Sequence, residues 1–147
     1  MSALTTGYGR AVDRRDADAL TSLFTSDVVL VLPPELNGTG APSELVGRDE
    51  VVDAVVKSVQ RYVLTRHVVD QPLLEGVSDV TARGETYCTA HHIFPYDDGH
   101  RDKRVAIRYQ DTFARVEDSW LFSRRELVVD FTETVPVRLP ATRETEV

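Results

Sequence analysis

The sequence has little of several residue types, and each shortage removes a class of structure. Its 147 residues include a single cysteine, Cys88, which excludes an internal disulfide and leaves no CxxC pair for a structural zinc site. No apolar run approaches the ~18 residues that a membrane-spanning helix needs. The first residues lack the basic and apolar regions of a secretory signal. We therefore expect a cytoplasmic protein with no metal and no membrane partner.

Basic residues are also outnumbered. The chain has 17 Lys and Arg against 24 Asp and Glu, a formal net charge of −7. Nucleic acids and anionic membranes are themselves negative, so neither is an expected partner. Phosphate-binding glycine loops and the GxSxG nucleophile motif are missing as well, which leaves little support for covalent acyl catalysis. The length favours one domain.

Two helices are predicted at the start of the chain. Residues 3–13 carry a helical apolar stripe, and Asp16 is a candidate cap for a second helix running to Phe24. The stripe changes register at residues 14–15, which predicts a kink. Counted back from the apolar residues of the second helix at helical spacing, Asp13 lies on the same face as they do. The alternative is that Asp13 simply ends a helix on the surface.

A strand, a loop and a third helix follow. Residues 28–32 are an apolar run of strand length, and residues 48–61 repeat valine at helical spacing with acidic residues in the first turn. Between them, residues 35–46 are rich in Gly, Pro and Ser. This composition predicts a loop, long enough to act as a lid over a cavity.

The rest of the chain alternates apolar and polar residues in four strand-length segments, 62–71, 79–94, 104–115 and 120–131. One face of each segment is apolar apart from a few polar residues. These exceptions are His67, His92, Tyr109, Asp111 and Arg125. The alternation places Phe131 on the same inward face as Arg125, and Tyr62 on the outward face of its strand.

Some apolar residues fall on the outward face of the last segment. Trp120, Phe122 and Val128 lie there among charged residues. Apolar residues on an outer face favour a partner subunit, so we expect a homo-oligomer, a dimer or a trimer. The alternative is that these side chains rest on the C-terminal tail.

The order of elements predicts an α+β fold, in which a curved antiparallel sheet wraps over N-terminal helices to form a cone. We expect one domain over residues 1–134 and a flexible tail over 135–147. A cone of this kind leaves an open mouth, which is a natural pocket for a small molecule.

The polar exceptions favour proton-transfer chemistry if they meet in that pocket. A carboxylate such as Asp13 would hold an imidazole such as His67 in one tautomer and make it a better proton acceptor. An arginine and a tyrosine would stabilise developing negative charge. This set supports proton abstraction with elimination, dehydration or isomerisation. The alternative for His67 is a packed core residue, and a metal site built on His67 and His92 lacks the spacing of a facial triad.

Several strings resemble the SnoaL-like branch of the NTF2-like superfamily. Residues 111–125, DTFARVEDSWLFSRR, are similar to the Asp…Arg…Asp-Gly-x-Trp-x-Phe-x-x-Arg hairpin of that branch, with variation in the region of Ser119 in place of the usual glycine. Residues 11–15 and 65–67 resemble the segments that supply the aspartate and the histidine of an Asp–His dyad in lyases of the superfamily. The resemblance extends to about residue 133.

The resemblance implies a cofactor-independent lyase, cyclase or isomerase that acts on a small apolar or cyclic molecule. His67 is then the general base, Asp13 orients it, and Arg125 and His92 assist the leaving group or an oxyanion. The expected substrate-binding residues are Tyr8, Tyr109, Phe24, Cys88, Ile107 and Leu127. The alternative is a non-catalytic small-molecule binder or assembly subunit, since a fold does not fix a function. A binder has no need of a carboxylate behind His67.

Overall fold

A computed structural model describes residues 1–38, 40 and 43–141. Its helices are α1 (Ser2–Asp13), α2 (Ala17–Thr21), α3 (Pro34–Asn37) and α4 (Arg48–Val59). Its strands are β1 (Phe24–Leu32), β2 (Ser43–Val46), β3 (Leu64–Val69), β4 (Leu73–Glu75), β5 (Thr81–Tyr96), β6 (Gly99–Val116) and β7 (Ser119–Val137). None of the described helices is both long and apolar enough to cross a membrane.

The described strands form one open, curved sheet in the order β2-β1-β7-β6-β5-β3, with β4 paired to β5. This architecture is the predicted α+β class. One junction differs from an all-antiparallel sheet, because β1 and β7 are parallel. Parallel neighbours need a long crossover, and the whole remainder of the chain between β1 and β7 supplies it.

The core lies between the sheet and the helices. Helices α1 and α4 contribute buried side chains such as Tyr8, Val12, Val51 and Val55. The sheet contributes the inward positions of β5 and β6, which include Ala82, Cys88, Ala90, Val105, Ile107 and Phe113. The alternation in these two strands predicted their inward faces correctly along most of their length.

The last strand departs from simple alternation at two points. The pairing of β7 with β6 shifts by one residue at Ser123 and again at Asp130. Each bulge adds one residue to β7, so that a strict alternation counted across the bulge assigns side chains to the wrong face. As a result Phe122 is fully buried, whereas Phe131 is 64% exposed. The sequence-based assignment of both faces was therefore wrong, and Phe122 gives no support for a partner surface.

Three boundaries also differ from the sequence-based expectation. Phe24 opens β1 rather than ending α2, and residues 135–137 of the predicted tail belong to β7. The predicted lid segment 35–46 contains most of α3 and the whole of β2. Its residues 39, 41 and 42 lie outside the described part of the chain, as do residues 142–147 of the tail.

Candidate active site

A cavity of about 120 Å³ opens between the helices and the concave face of the sheet. Its apolar wall is formed by residues from α1, β1, α3, α4, β6 and β7: Val12, Leu30, Leu32, Leu36, Ala54, Val55, Val59, Val105, Ile107 and Leu127. Its polar and aromatic lining is Tyr8, Glu35, Ser58, Arg61, Tyr62, His67, His92, Lys103 and Tyr109. An apolar hollow with a few grouped polar side chains is typical of a small-molecule site.

Asp13 and His67 meet at the wall of this cavity. Asp13 Oδ1 lies 2.6 Å from His67 Nδ1 and also accepts a hydrogen bond of 3.0 Å from the Thr65 hydroxyl. Asp13 Oδ2 accepts a 2.8 Å bond from the backbone N–H of His67. Both carboxylate oxygens of Asp13 therefore bond to groups of β3. Asp13 holds His67 through its backbone N–H and its ring together.

The ionisation of Asp13 fixes the tautomer of this imidazole. Burial alone would raise the pKa of the Asp13 carboxyl, but the hydrogen bonds from the His67 ring and backbone outweigh it and the pKa is lowered. An ionised carboxylate only accepts hydrogen bonds, so Nδ1 of His67 carries the proton. Nε2 is then the ring nitrogen left to accept a proton from a molecule in the cavity.

The end of α1 explains why Asp13 reaches β3. Arg15 takes a left-handed backbone conformation with φ 53°, which stops the helix just after Asp13. The Arg15 guanidinium donates bonds of 2.8 and 3.0 Å to the carbonyls of Val59 and Tyr62, and one of 3.2 Å to the Asp13 carbonyl. These bonds tie the end of α1 to the end of α4 and to the turn that precedes β3.

Gly9 allows α1 to approach β3 closely. A Cβ atom at this position would lie 3.0 Å from Val69 Cγ2 and 3.1 Å from His67 Cβ. Both distances are tighter than ordinary van der Waals contact, so any larger residue would push the helix away from the strand. Sequence reasoning missed Gly9, because its role depends on which strand the helix packs against.

His92 is a second imidazole in the cavity, and it is held differently. Its Nδ1 lies 3.0 Å from the Lys103 carbonyl, which can only accept, so Nδ1 carries the proton. Burial lowers the pKa of His92. Its ring lies 6.1 Å from the His67 ring and 4.9 Å from the Tyr62 ring, measured between centroids. His92 is thus a neutral group beside the Asp13–His67 pair.

Arg125 lies behind the cavity wall rather than in it. The residue has no exposed surface, and its Nε and Nη2 donate bonds of 2.8 and 3.0 Å to the two oxygens of Asp111. Its guanidinium carbon lies 3.6 Å from the ring centroid of Tyr109 and 4.4 Å from that of Tyr8. Burial would lower the pKa of Arg125, but Asp111 outweighs it and the pKa is raised, so the cation persists.

The two tyrosines that cover Arg125 face the cavity as neutral phenols. Burial raises the pKa of Tyr8 to about 12, although the Arg125 charge opposes the shift. Burial likewise raises the pKa of Tyr109 well above its ordinary value. Both side chains are therefore hydrogen-bond donors at neutral pH and not bases. The buried Cys88 thiol, whose pKa burial raises to about 11, is not a ready nucleophile.

The structure separates the predicted site residues that line the cavity from those that do not. His67, His92, Tyr8, Tyr109, Ile107 and Leu127 line the cavity. Asp13 stands behind His67, while Arg125, Phe24 and Cys88 lie in the core and are not part of the lining. We expected these last three residues to contact a bound molecule directly. Their positions behind the lining do not fit that expectation.

Sequence reasoning also missed part of the lining. Tyr62 was assigned to the outward face by alternation, but β3 begins only at Leu64, so the alternation does not reach Tyr62. Arg61 and Lys103 line the cavity too and carried no signal of their own. Within the described residues, no group of three His, Cys, Asp or Glu side chains could hold a metal ion.

Comparison with known proteins identifies the family. The model of the SnoaL-like domain matches residues 1–126. No curated protein has a matching sequence. Among solved structures, a candidate scytalone dehydratase from Novosphingobium aromaticivorans DSM 12444 is 22% identical over 94% of this chain and 85% of its own, with a TM-score of 0.73.

Two further structures are similar. The Kfla4162 protein of Kribbella flavida is 19% identical over 88% of both chains, with a TM-score of 0.78. The hexachlorocyclohexane dehydrochlorinase LinA-type3 of Novosphingobium barchaimii LL02 is 19% identical over 93% of this chain and 89% of its own, with a TM-score of 0.73. At these identities the structures show the fold alone. With the family model matching most of its length, the chain belongs to the SnoaL-like domain family of the NTF2-like superfamily.

Proposed function

We propose that this protein is a cofactor-independent lyase or isomerase that abstracts a proton from a small cyclic molecule. The observation that carries the proposal is the 2.6 Å contact between Asp13 and His67 at the wall of an apolar cavity. A carboxylate behind an imidazole leaves Nε2 as the proton acceptor and stabilises the imidazolium that forms. Relatives named as a dehydratase and a dehydrochlorinase, both eliminations, support the reaction class.

The reaction begins when His67 Nε2 takes a proton from carbon. In an elimination, the electron pair of the broken C–H bond forms a double bond as hydroxide or halide leaves from the neighbouring carbon. A departing hydroxide takes up the proton that His67 has acquired and leaves as water, whereas after loss of halide the imidazolium releases that proton to solvent. In an isomerisation, the same proton returns to a different carbon. Asp13 stays ionised throughout, as its lowered pKa favours.

The remaining polar residues assist without transferring the first proton. Tyr8 and Tyr109 offer neutral phenol donors to an oxygen on which negative charge develops. Arg125 does not contact the substrate. Its buried cation packs against the rings of Tyr8 and Tyr109 on the side away from the cavity. His92, neutral and 6.1 Å from His67 between ring centroids, positions the substrate on the polar side of the cavity.

The proposal is tested by following a panel of single-ring substrates in D₂O by proton NMR. The panel contains cyclic β-hydroxyketones, chlorinated cyclohexanes and cyclic β,γ-enones, which report loss of water, loss of HCl and double-bond migration. For any molecule that is turned over, His67→Ala and Asp13→Asn should each lower kcat/KM by roughly 10²–10⁴-fold. Unchanged turnover in both variants would contradict the proposal. Binding across the panel without any turnover would favour the non-catalytic binder instead.

A further inference from the structure

The polar lining of the cavity continues beyond the two histidines toward two cationic side chains. The Tyr62 ring lies 4.9 Å from the His92 ring, and the Arg61 guanidinium carbon lies 5.0 Å from the Tyr62 ring, both measured to centroids. Arg61 Nη2 donates a 3.0 Å hydrogen bond to the Tyr62 hydroxyl oxygen. Residues His67, His92, Tyr62 and Arg61 thus follow one another along one side of the cavity.

Lys103 lines the same side. Its carbonyl holds the Nδ1 of His92 at 3.0 Å, and its charge adds to the burial that keeps the pKa of His92 low. Across the described residues, neither Lys103 nor Arg61 has a carboxylate partner within salt-bridge distance. One acidic residue, Glu35, also lines the cavity.

We propose that Arg61, Lys103 and the Tyr62 hydroxyl form an anion-binding subsite, and that the cavity prefers a single-ring carboxylate over a neutral ring. The inference rests on the proposed function only in taking this cavity as the active site. The Tyr62 hydroxyl already accepts from Arg61, so its own proton is free to be donated to an anion. Two cations and one donor suit a carboxylate, which accepts from several groups at once.

The size of the cavity sets the rest of the ligand. An apolar cavity of roughly 150 Å³ holds one benzene ring, and this cavity measures about 120 Å³ and is open on one side. The apolar wall therefore suits one ring. The ring faces Ile107 and Leu127, while the carboxylate reaches the cationic side next to His92. Such a molecule presents a carbon near its ring to Nε2 of His67.

The test compares benzoate with benzamide, which have nearly the same shape and differ in charge. Dissociation constants are measured by NMR titration at pH 7 and constant ionic strength of about 0.1 M. Benzoate should bind about tenfold more tightly than benzamide, as two partly exposed ion pairs allow. In Arg61→Gln/Lys103→Gln the preference should disappear while benzamide affinity is retained. Glu35→Gln should tighten benzoate about twofold and leave benzamide unchanged.

A matched control separates the subsite from the overall charge. Arg66→Gln/Arg83→Gln removes two exposed cations that do not line the cavity, and it should keep the full benzoate preference. His67→Ala should also keep it, so a failed reaction and a failed subsite are distinguishable. The proposal is overturned if benzoate binds no better than benzamide in the parent protein or does not bind. It is also overturned if the preference survives the Arg61/Lys103 change or is lost in the control.

Discussion

Among the described residues, two His–Asp pairs have almost the same geometry, and one of them lines the candidate active-site cavity. In the first, Asp13 Oδ1 lies 2.6 Å from His67 Nδ1 and Oδ2 accepts a backbone N–H. In the second, Asp102 Oδ2 lies 2.6 Å from His91 Nδ1 and Oδ1 accepts the backbone N–H of His92 at 3.0 Å. In both pairs one carboxylate oxygen contacts the imidazole and the other accepts a backbone N–H.

The surroundings of the two pairs are different. The His67 side chain is 7% exposed and lines the apolar cavity, whereas the His91 side chain is 25% exposed and does not line it. Asp102 also accepts a 3.1 Å bond from the Arg104 Nε, so its charge is compensated by a permanent cation. Under the proposed function, a short His–Asp contact is therefore not by itself the mark of a proton acceptor. The two pairs differ in the cavity and in Asp13, whose carboxylate has no arginine or lysine partner among the described residues.

The largest predicted effect contrasts the two histidines. For a substrate that is turned over, His67→Gln should lower kcat/KM by roughly 10²–10⁴-fold, since general-base catalysis is lost. His91→Gln should change it by no more than a few-fold, because this ring is outside the cavity. Steady-state kinetics measures both. A loss of similar size in the two variants would remove the distinction between the pairs.

The second prediction concerns the free energy of unfolding. Asp102→Asn should lower it by about 2–3 kcal/mol, because a buried carboxylate that serves two cationic or imidazole donors and one backbone donor is removed. Asp13→Asn should cost less, about 1–2 kcal/mol, because this side chain is 22% exposed against 3% for Asp102. Urea denaturation at pH 7 gives both values. Equal costs would mean that burial does not distinguish the two carboxylates.

The third prediction is a pH dependence of stability. The pKa of Asp13 is lowered by folding, so its contribution is fully present above the unfolded-state value of about 3.9 and is lost as the pH falls through the folded value. The difference in unfolding free energy between the parent and Asp13→Asn should thus shrink as the pH falls below about 4. In His67→Gln this acid-dependent loss should be smaller, since the ring bond is gone. A difference independent of pH would contradict the assignment.

The smallest predicted effect tests the close approach of α1 to β3. Alanine in place of a helical glycine gains about 0.5–1 kcal/mol. Gly7→Ala should show this gain, since its nearest contact would be Leu23 Cδ2 at an ordinary 3.7 Å. Gly9→Ala should instead lower stability by about 1 kcal/mol, because overpacking against Val69 and His67 exceeds the gain. Thermal unfolding measures both. A stabilising Gly9→Ala would show that α1 can move without cost.

Much of the fold could be predicted because its signals are local. The inward positions of β5 and β6 follow from a period of two, and the cap at Asp16 accepts the Ala19 N–H at 3.0 Å, as its residue type suggested. The bulges at Ser123 and Asp130 carried no local signal. They changed the faces of Phe122 and Phe131, which alternation alone had misplaced.

The candidate site was only partly predictable for a related reason. Alternation states which face of a strand a side chain takes, but not how deep it lies on that face. His67 and Arg125 are both inward, yet Tyr8 of α1 and Tyr109 cover Arg125, while His67 lines the cavity. The depth of each residue is decided by the helix that packs above it, which is far away in the sequence.

The sequence by itself determined the class of the fold, the polar residues on the apolar faces of the strands and the family. These follow from composition, periodicity and short motifs, all of which are encoded within a few neighbouring residues. Only the tertiary structure decided that Asp13 meets His67, that Asp111 rather than a ligand meets Arg125, and that Arg61 and Lys103 share a wall with His92. Each of these depends on distances between segments that are remote along the chain, which packing fixes and local patterns do not.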